Sequence, residues 1–158
     1  MTLSDKAIRR PSKPAPGPAP ALYRLLADSA LSRAALAACG FPVALVDATL
    51  PQKPITYVNP AFEGFFGYRT DEVLGKPAAA LFAPGDEAAA RIFAEAPVRL
   101  LARARRSDGA IVSVELTVGA VHGADGRLTH WVLAFADRSE LEHLREELRV
   151  LRAIAAAP

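Results

Sequence analysis

Cysteine occurs once in the 158 residues, at Cys39. A lone thiol excludes an intramolecular disulfide, fits a reducing cytoplasm, and leaves no paired cysteines for a metal site. No apolar run approaches the roughly 18 residues of a membrane-spanning helix, and Met1 to Pro20 lacks the apolar stretch of a secretory signal. The formal net charge is only +2, so electrostatics gives no case for nucleic acid or an acidic membrane. Catalytic signatures are absent too: no phosphate-binding glycine loop, no H-E-x-x-H and no G-x-S-x-G. The acidic pairs Asp71–Glu72 and Glu146–Glu147 read as helix-end and surface charge. No catalytic or metal-ligating residue is expected, and the chain reads as a non-enzyme.

What is present suits one globular domain, with 51% hydrophobic and 23% charged residues. Residues 1–20 hold Pro11, Pro14, Pro16, Pro18 and Pro20 among Ala, Ser, Lys and Arg, a composition expected to stay disordered. Residues 21–40 form the next segment. Leu22, Leu25, Leu26, Leu31 and Leu36 recur there at near-helical spacing, and Cys39 and Gly40 close the helix. The thiol is expected to pack as a small hydrophobe.

The centre of the pattern is Pro54 to Pro77. Ile55 to Val58 suits a strand paired with an earlier one over Phe41 to Ala48. Asn59 and Pro60 then supply an N-cap and a first helical residue whose missing N–H costs nothing. Phe62, Phe65 and Phe66 fall at i, i+3 and i+4, which places three rings on one helix face. Gly67 stops this helix, Thr70 is expected to cap a second, and Gly75 ends that one.

An Ala-rich helix is expected over Asp86 to Ala96. Three strands follow, each alternating with period two: Val98 to Arg105, Ile111 to Val121 and Thr129 to Asp137, with turns at Ser107–Gly109 and Gly123–Gly126. From residue 139 to 158 the period changes. Leu141, Leu144, Leu148 and Leu151 are spaced 3, 4 and 3 among Glu and Arg, a short coiled-coil-like seam that needs a partner or the sheet to persist.

The spaced pieces Y-V-N-P-A-F-E, G-Y and D-E-V-L-G-K resemble the PAS domain family, specifically its light-oxygen-voltage (LOV) branch. The resemblance places the core at residues 41–138 and implies an α+β fold. Its frame would be a five-stranded antiparallel sheet with short helices on one face, flanked by N- and C-terminal helices, around a sensory pocket. It further implies that a cysteine in the segment following Gly75 bonds a flavin under blue light. Ala78 stands at that place, and a thiol is the atom such an adduct requires.

The resemblance also implies amides against the flavin edge. Ala104 and Val114 stand where two asparagines are expected and Phe135 where a glutamine is, while Pro77, Ala79 and Phe82 replace further polar residues. Contacts of this kind contribute roughly 0.5–1.5 kcal/mol each, so losing six removes on the order of 5 kcal/mol. Arg91 is the one remaining candidate for a phosphate. Ala78, Arg91, Ala104, Val112, Val114, Leu116, Leu133 and Phe135 are therefore the candidate pocket residues, nearly all hydrocarbon. No cofactor is expected, with flavin mononucleotide (FMN) the one candidate left by the resemblance.

The reading is a cytoplasmic sensory or regulatory module without cysteine-adduct photochemistry, acting as a homodimer or on a protein partner through its terminal helix. Two alternatives stay open: a protein holding flavin noncovalently, and a sensor of a small apolar ligand.

Overall fold

The computed structural model describes residues 29–94 and 98–157. Two compact units divide the chain, Met1–Ala34 and Ala35–Pro158. The expected tail over residues 1–20 and the first part of the following helix lie outside the described residues. Helix α1 is Ser29–Ala38. After it come β1 (Val43–Asp47), β2 (Ile55–Val58), α2 (Pro60–Phe66), α3 (Thr70–Val73), a 3-10 turn (Ala78–Leu81) and α4 (Glu87–Arg91). The chain then runs through β3 (Val98–Arg105), β4 (Ile111–His122), β5 (Leu128–Asp137) and α5 (Ser139–Ala155).

The five strands form one antiparallel sheet in the order β2-β1-β5-β4-β3, so the first and last strands are central neighbours. Alternation puts Ala102 and Ala104, Val114, Leu116 and Val118, and Trp131, Leu133 and Phe135 on one buried face. Phe62, Phe66, Val73, Ala78, Leu81, Phe82 and Ile92 cover it from the helical side. Both sheet edges are protected by short chain segments. At β2, Ile55 N–H donates to Lys76 O and Gly75 N–H to Ile55 O, while at β3 Ala83 N–H donates to Arg103 O.

Asn59 is the buried polar side chain among the described residues. It does more than cap α2. Its Oδ1 accepts from Phe62 N–H at 3.0 Å and Val43 N–H at 2.9 Å, and its Nδ2 donates to Leu36 O and Phe41 O at 3.0 Å each. Every donor and acceptor of the amide is used, joining the end of α1, the start of β1 and the start of α2.

The opposite end of α2 is closed by a distant hairpin. Gly67 turns left-handed (φ 76°), Ser107 N–H donates to Phe66 O at 2.9 Å, and Arg106 Nε donates to Phe65 O at 2.7 Å. The Arg106 guanidinium also lies 5.0 Å from the Phe65 ring centre. Phe65 is accordingly only half-buried, whereas Phe62 and Phe66 are fully inside.

Three local expectations need correction. Thr70 is the first residue of α3 and not its cap; Glu72 accepts the Arg69 N–H at 2.8 Å, and the Thr70 N–H goes to Glu63 at 3.0 Å. The Thr70 hydroxyl also donates to Glu63 of the preceding helix, so a carboxylate from α2 holds this residue inside the first turn, and the capping bond at the helix start comes from Glu72. The Ala-rich helix is Glu87–Arg91, and Ile92, in the core, begins a turn over residues 92–94; the end of the expected Asp86 to Ala96 span, residues 95 and 96, lies outside the described residues. The first strand is Val43–Asp47, since Phe41 O bonds Asn59 and Asp47 folds its carboxylate onto Thr49.

Candidate functional site

The candidate residues separate by burial. Ala78, Ala104, Val114, Leu116, Leu133 and Phe135 are buried to within 1% of complete. Val112, on the same face near the β3–β4 turn, is half-buried. Arg91 is exposed on α4 and does not share the buried wall, because Ile92 beside it takes the inward direction.

Strand register brings the inward group together. Leu116 pairs with Phe135, Val118 with Leu133, and Ala104 with Val112, while Phe82 bridges to Ala104. Phe135 then meets rings from two other elements. Its centroid is 5.0 Å from Phe66, 6.1 Å from Phe62 and 6.4 Å from Phe82, and Phe62 and Phe66 lie 4.4 Å apart. These separations are those of packed aromatic pairs. A cavity beside Ile55, Tyr68, Val73, Lys76, Ala80, Leu81 and Arg105 holds about 90 Å³, small against the roughly 300–1,000 Å³ of ligand pockets.

Polar groups suited to a flavin edge are scarce in this interior. The Asn59 amide is fully engaged. Trp131 is 93% buried beside Phe93, its ring centre 6.0 Å away, and its Nε1–H has no acceptor among the described residues. Among the described residues no group of His, Cys, Asp and Glu side chains is placed to hold a metal ion.

From Phe135 the chain leads directly to the terminal helix. Asp137 accepts the Ser139 N–H at 2.9 Å, and Arg138 N–H donates to Ser113 O at 2.9 Å. Ser113 Oγ in turn donates to Glu142 at 2.6 Å, tying the first turn of α5 to β4. Glu115 joins Arg138 on one side and Arg99 on the other. The Arg138 hydrogen bond, followed by that of Arg99, holds its carboxyl below the usual glutamate range. A groove of about 210 Å³ runs between sheet and helix, lined by Leu101, Glu115, Arg138, Leu141, Glu142 and Arg145.

The aspartate at the junction is visible in the sequence. The Ser113–Glu142 and Glu115–Arg138 links are not, because they join residues 29 and 23 positions apart whose proximity depends on strand register.

Comparisons with known proteins point one way. The PAS domain family description matches residues 42–140. The blue-light-activated histidine kinase of Brucella ovis is 32% identical over 129 residues, covering 75% of this chain and 26% of that protein. The bacterioopsin transcriptional activator of Halobacterium salinarum is 28% identical over 132 residues, 80% of this chain and 19% of that protein. The chain thus spans about a quarter or less of the length of these curated relatives. An RNA-binding light-oxygen-voltage receptor superposes with a TM-score of 0.70 and 28% identity, over 90% of this chain and 40% of that one. The Rhodobacter sphaeroides LOV protein, at 22% identity and TM-score 0.60 over 66% of this chain and 63% of that one, shows the shared fold.

Proposed function

Since the chain belongs to the PAS domain family, on its LOV-like side, we propose that it is a sensory or regulatory module that works without flavin–cysteine photochemistry and without a catalytic step of its own. The observation that carries this reading is the packing of Phe135 against Phe62, Phe66 and Phe82. Rings and hydrocarbon occupy the wall where the family resemblance calls for amides, and buried Ala78 offers no sulfur. A flavin there would leave its polar edge without partners, at roughly 1–3 kcal/mol for each buried unsatisfied group. The residues present therefore do not fit that cofactor.

The output is association. Phe135 in the core lies two residues before Asp137, whose carboxylate anchors α5, so a change of packing around the rings reaches the helix through one short stretch of β5. A second copy of the chain is the partner, with another protein at the same helix as the other outcome. The single thiol, which is free, supports a reducing cytoplasm as its place. No helix among the described residues is long and apolar enough to cross a membrane.

The test is the absorption spectrum of the purified protein, in the dark and under blue light. Absorption by aromatic residues alone is expected. A flavin band that bleaches in light and recovers in darkness overturns the proposal, and a flavin band indifferent to light supports noncovalent binding instead.

One observation favours a second reading, a sensor of a small apolar ligand. The buried Trp131 N–H lacks an acceptor among the described residues, and a mainly hydrocarbon molecule with one carbonyl or ether oxygen would satisfy it. Mass spectrometry of the denatured protein would reveal such a molecule.

A further inference from the structure

Strand β3 borders the sheet, and its free side is only partly covered. Arg106 N–H donates to Ala110 O beside the hairpin, which sets the phase of the β3–β4 ladder. Alternation then turns the backbone groups of Leu100, Ala102 and Ala104 toward β4 and those of Arg99, Leu101, Arg103 and Arg105 away from it. The outward groups near the hairpin have partners. Ala83 N–H donates to Arg103 O at 2.8 Å, Arg103 N–H to Asp86 at 2.6 Å, and Tyr68 Oη to Arg105 O at 3.5 Å. Before Arg103 this cover stops. The N–H and C=O groups of Arg99 and Leu101 have no partner among the described residues.

The side chains around this gap select what could fill it. Leu101 is 57% exposed, the most open of the large apolar side chains on the described strands, and it stands between Arg99 and Arg103 on the outer face. Arginines alone would blunt the edge against other strands, whereas a large apolar side chain at the open position gives a partner a surface to cover. Glu115, opposite Leu101, is already engaged by Arg138 and Arg99. Arg103 and Arg145 have no carboxylate partner among the described residues. A second copy of β3 would bring Arg99 and Arg103 of both chains into one short stretch, like charge against like charge.

We propose that the open edge at Arg99 to Leu101 receives an extended segment of an acidic partner protein as a sixth strand, antiparallel like the rest of the sheet. Its apolar side chain lies opposite Leu101, with carboxylates two residues to either side that meet Arg99 and Arg103. The backbone groups of Arg99 and Leu101 supply affinity, and the alternating side chains supply choice of partner. The apolar side chain sits over Leu101 at the groove that Leu141 and Arg145 also line, so the added strand reaches the start of α5.

The probe is an end-blocked, labelled peptide, Thr-Glu-Thr-Leu-Thr-Glu-Thr, added to the full chain. Binding should protect the Arg99 and Leu101 amides from hydrogen exchange, while Leu100 and Ala102, already bonded to β4, change little. Lysine in place of both peptide glutamates should weaken binding by about tenfold or more, and Arg103→Glu by a few-fold to about tenfold. Leu101→Pro removes the edge donor without breaking a ladder bond and should abolish binding. N-methylation of the peptide leucine, whose amide faces β3, should do the same to the parent chain, whereas methylation of the threonine beside it should not. Equal binding of the glutamate and lysine peptides overturns the acidic partner, and indifference to methylation at leucine overturns strand addition. Absence of binding at millimolar peptide, or binding that leaves Arg99 and Leu101 unprotected, overturns the proposal as a whole. Protection that the parent alone acquires as its concentration rises gives the edge to a second copy and overturns the acidic partner.

Discussion

The ring of Phe135 stands edge-on to that of Phe66, with 5.0 Å between centroids and 81° between planes. Phe135 comes from β5 and Phe66 from α2, so this contact closes the helical layer onto the sheet. It also occupies the interior that a sensory ligand would need.

Phe135→Ala should destabilise the fold by about 3–5 kcal/mol, the usual cost of emptying a buried ring site. Chemical denaturation of parent and variant measures it. A loss under about 1 kcal/mol would mean that the rings are loosely packed and the interior adaptable.

Restoring three amides should reopen the flavin edge. Phe135→Gln with Val114→Asn and Ala104→Asn is expected to raise FMN affinity roughly tenfold or more, although the amides are themselves costly to bury when the site is empty. Fluorescence titration that finds parent and variant equal would remove the assignment of these positions to a flavin wall.

Asn59→Leu should cost about 2 kcal/mol or more, because it takes the side-chain acceptor from the Val43 N–H and the side-chain donor from the Phe41 carbonyl, and leaves the Phe62 N–H and the Leu36 carbonyl with backbone partners alone. Asn59→Asp keeps both accepted bonds but turns a carboxylate toward two carbonyls, and it should also be destabilised. If Asn59→Asp melted with the parent, the Nδ2 bonds would contribute nothing.

Gly67→Ala should be destabilised by about 1–3 kcal/mol, since φ is 76° and the new Cβ would lie 2.5 Å from Ser107 Oγ. Adding Ser107→Ala should recover part of the loss, the steric part. A double-mutant cycle with no coupling would mean that backbone strain accounts for all of it.

The Glu115 bridge predicts a pH effect of definite sign. Its folded pKa lies below the ordinary 4.5, so its contribution to stability is present above that value and is lost as pH falls through the lower folded value. The parent should therefore exceed Glu115→Gln in stability near neutrality, and the gap should close on acidification. A gap that stayed constant with pH would assign the effect to packing and not to the charge.

Sequence alone determined what depends on near neighbours. Asn59–Pro60 marked a helix start, Phe62 and Phe66 marked its buried face, and period-two alternation separated Val114, Leu116, Leu133 and Phe135 from the outward residues. Spacings of two to four residues are set by backbone geometry, so they can be read without knowing the fold. Tertiary structure decided what those rules do not reach. The order β2-β1-β5-β4-β3 makes the two ends of the core adjacent, and register then sets Glu115 beside Arg138 and Ser113 beside Glu142. Competition in space settled the rest: Asn59 gained three partners beyond its capping bond, Glu63 of the preceding helix took the amide and hydroxyl of Thr70, and Phe82 reached Phe135 from a segment 53 residues away. Such contacts form only once the chain has closed its long loops, and the whole fold, more than any local pattern, selects among them.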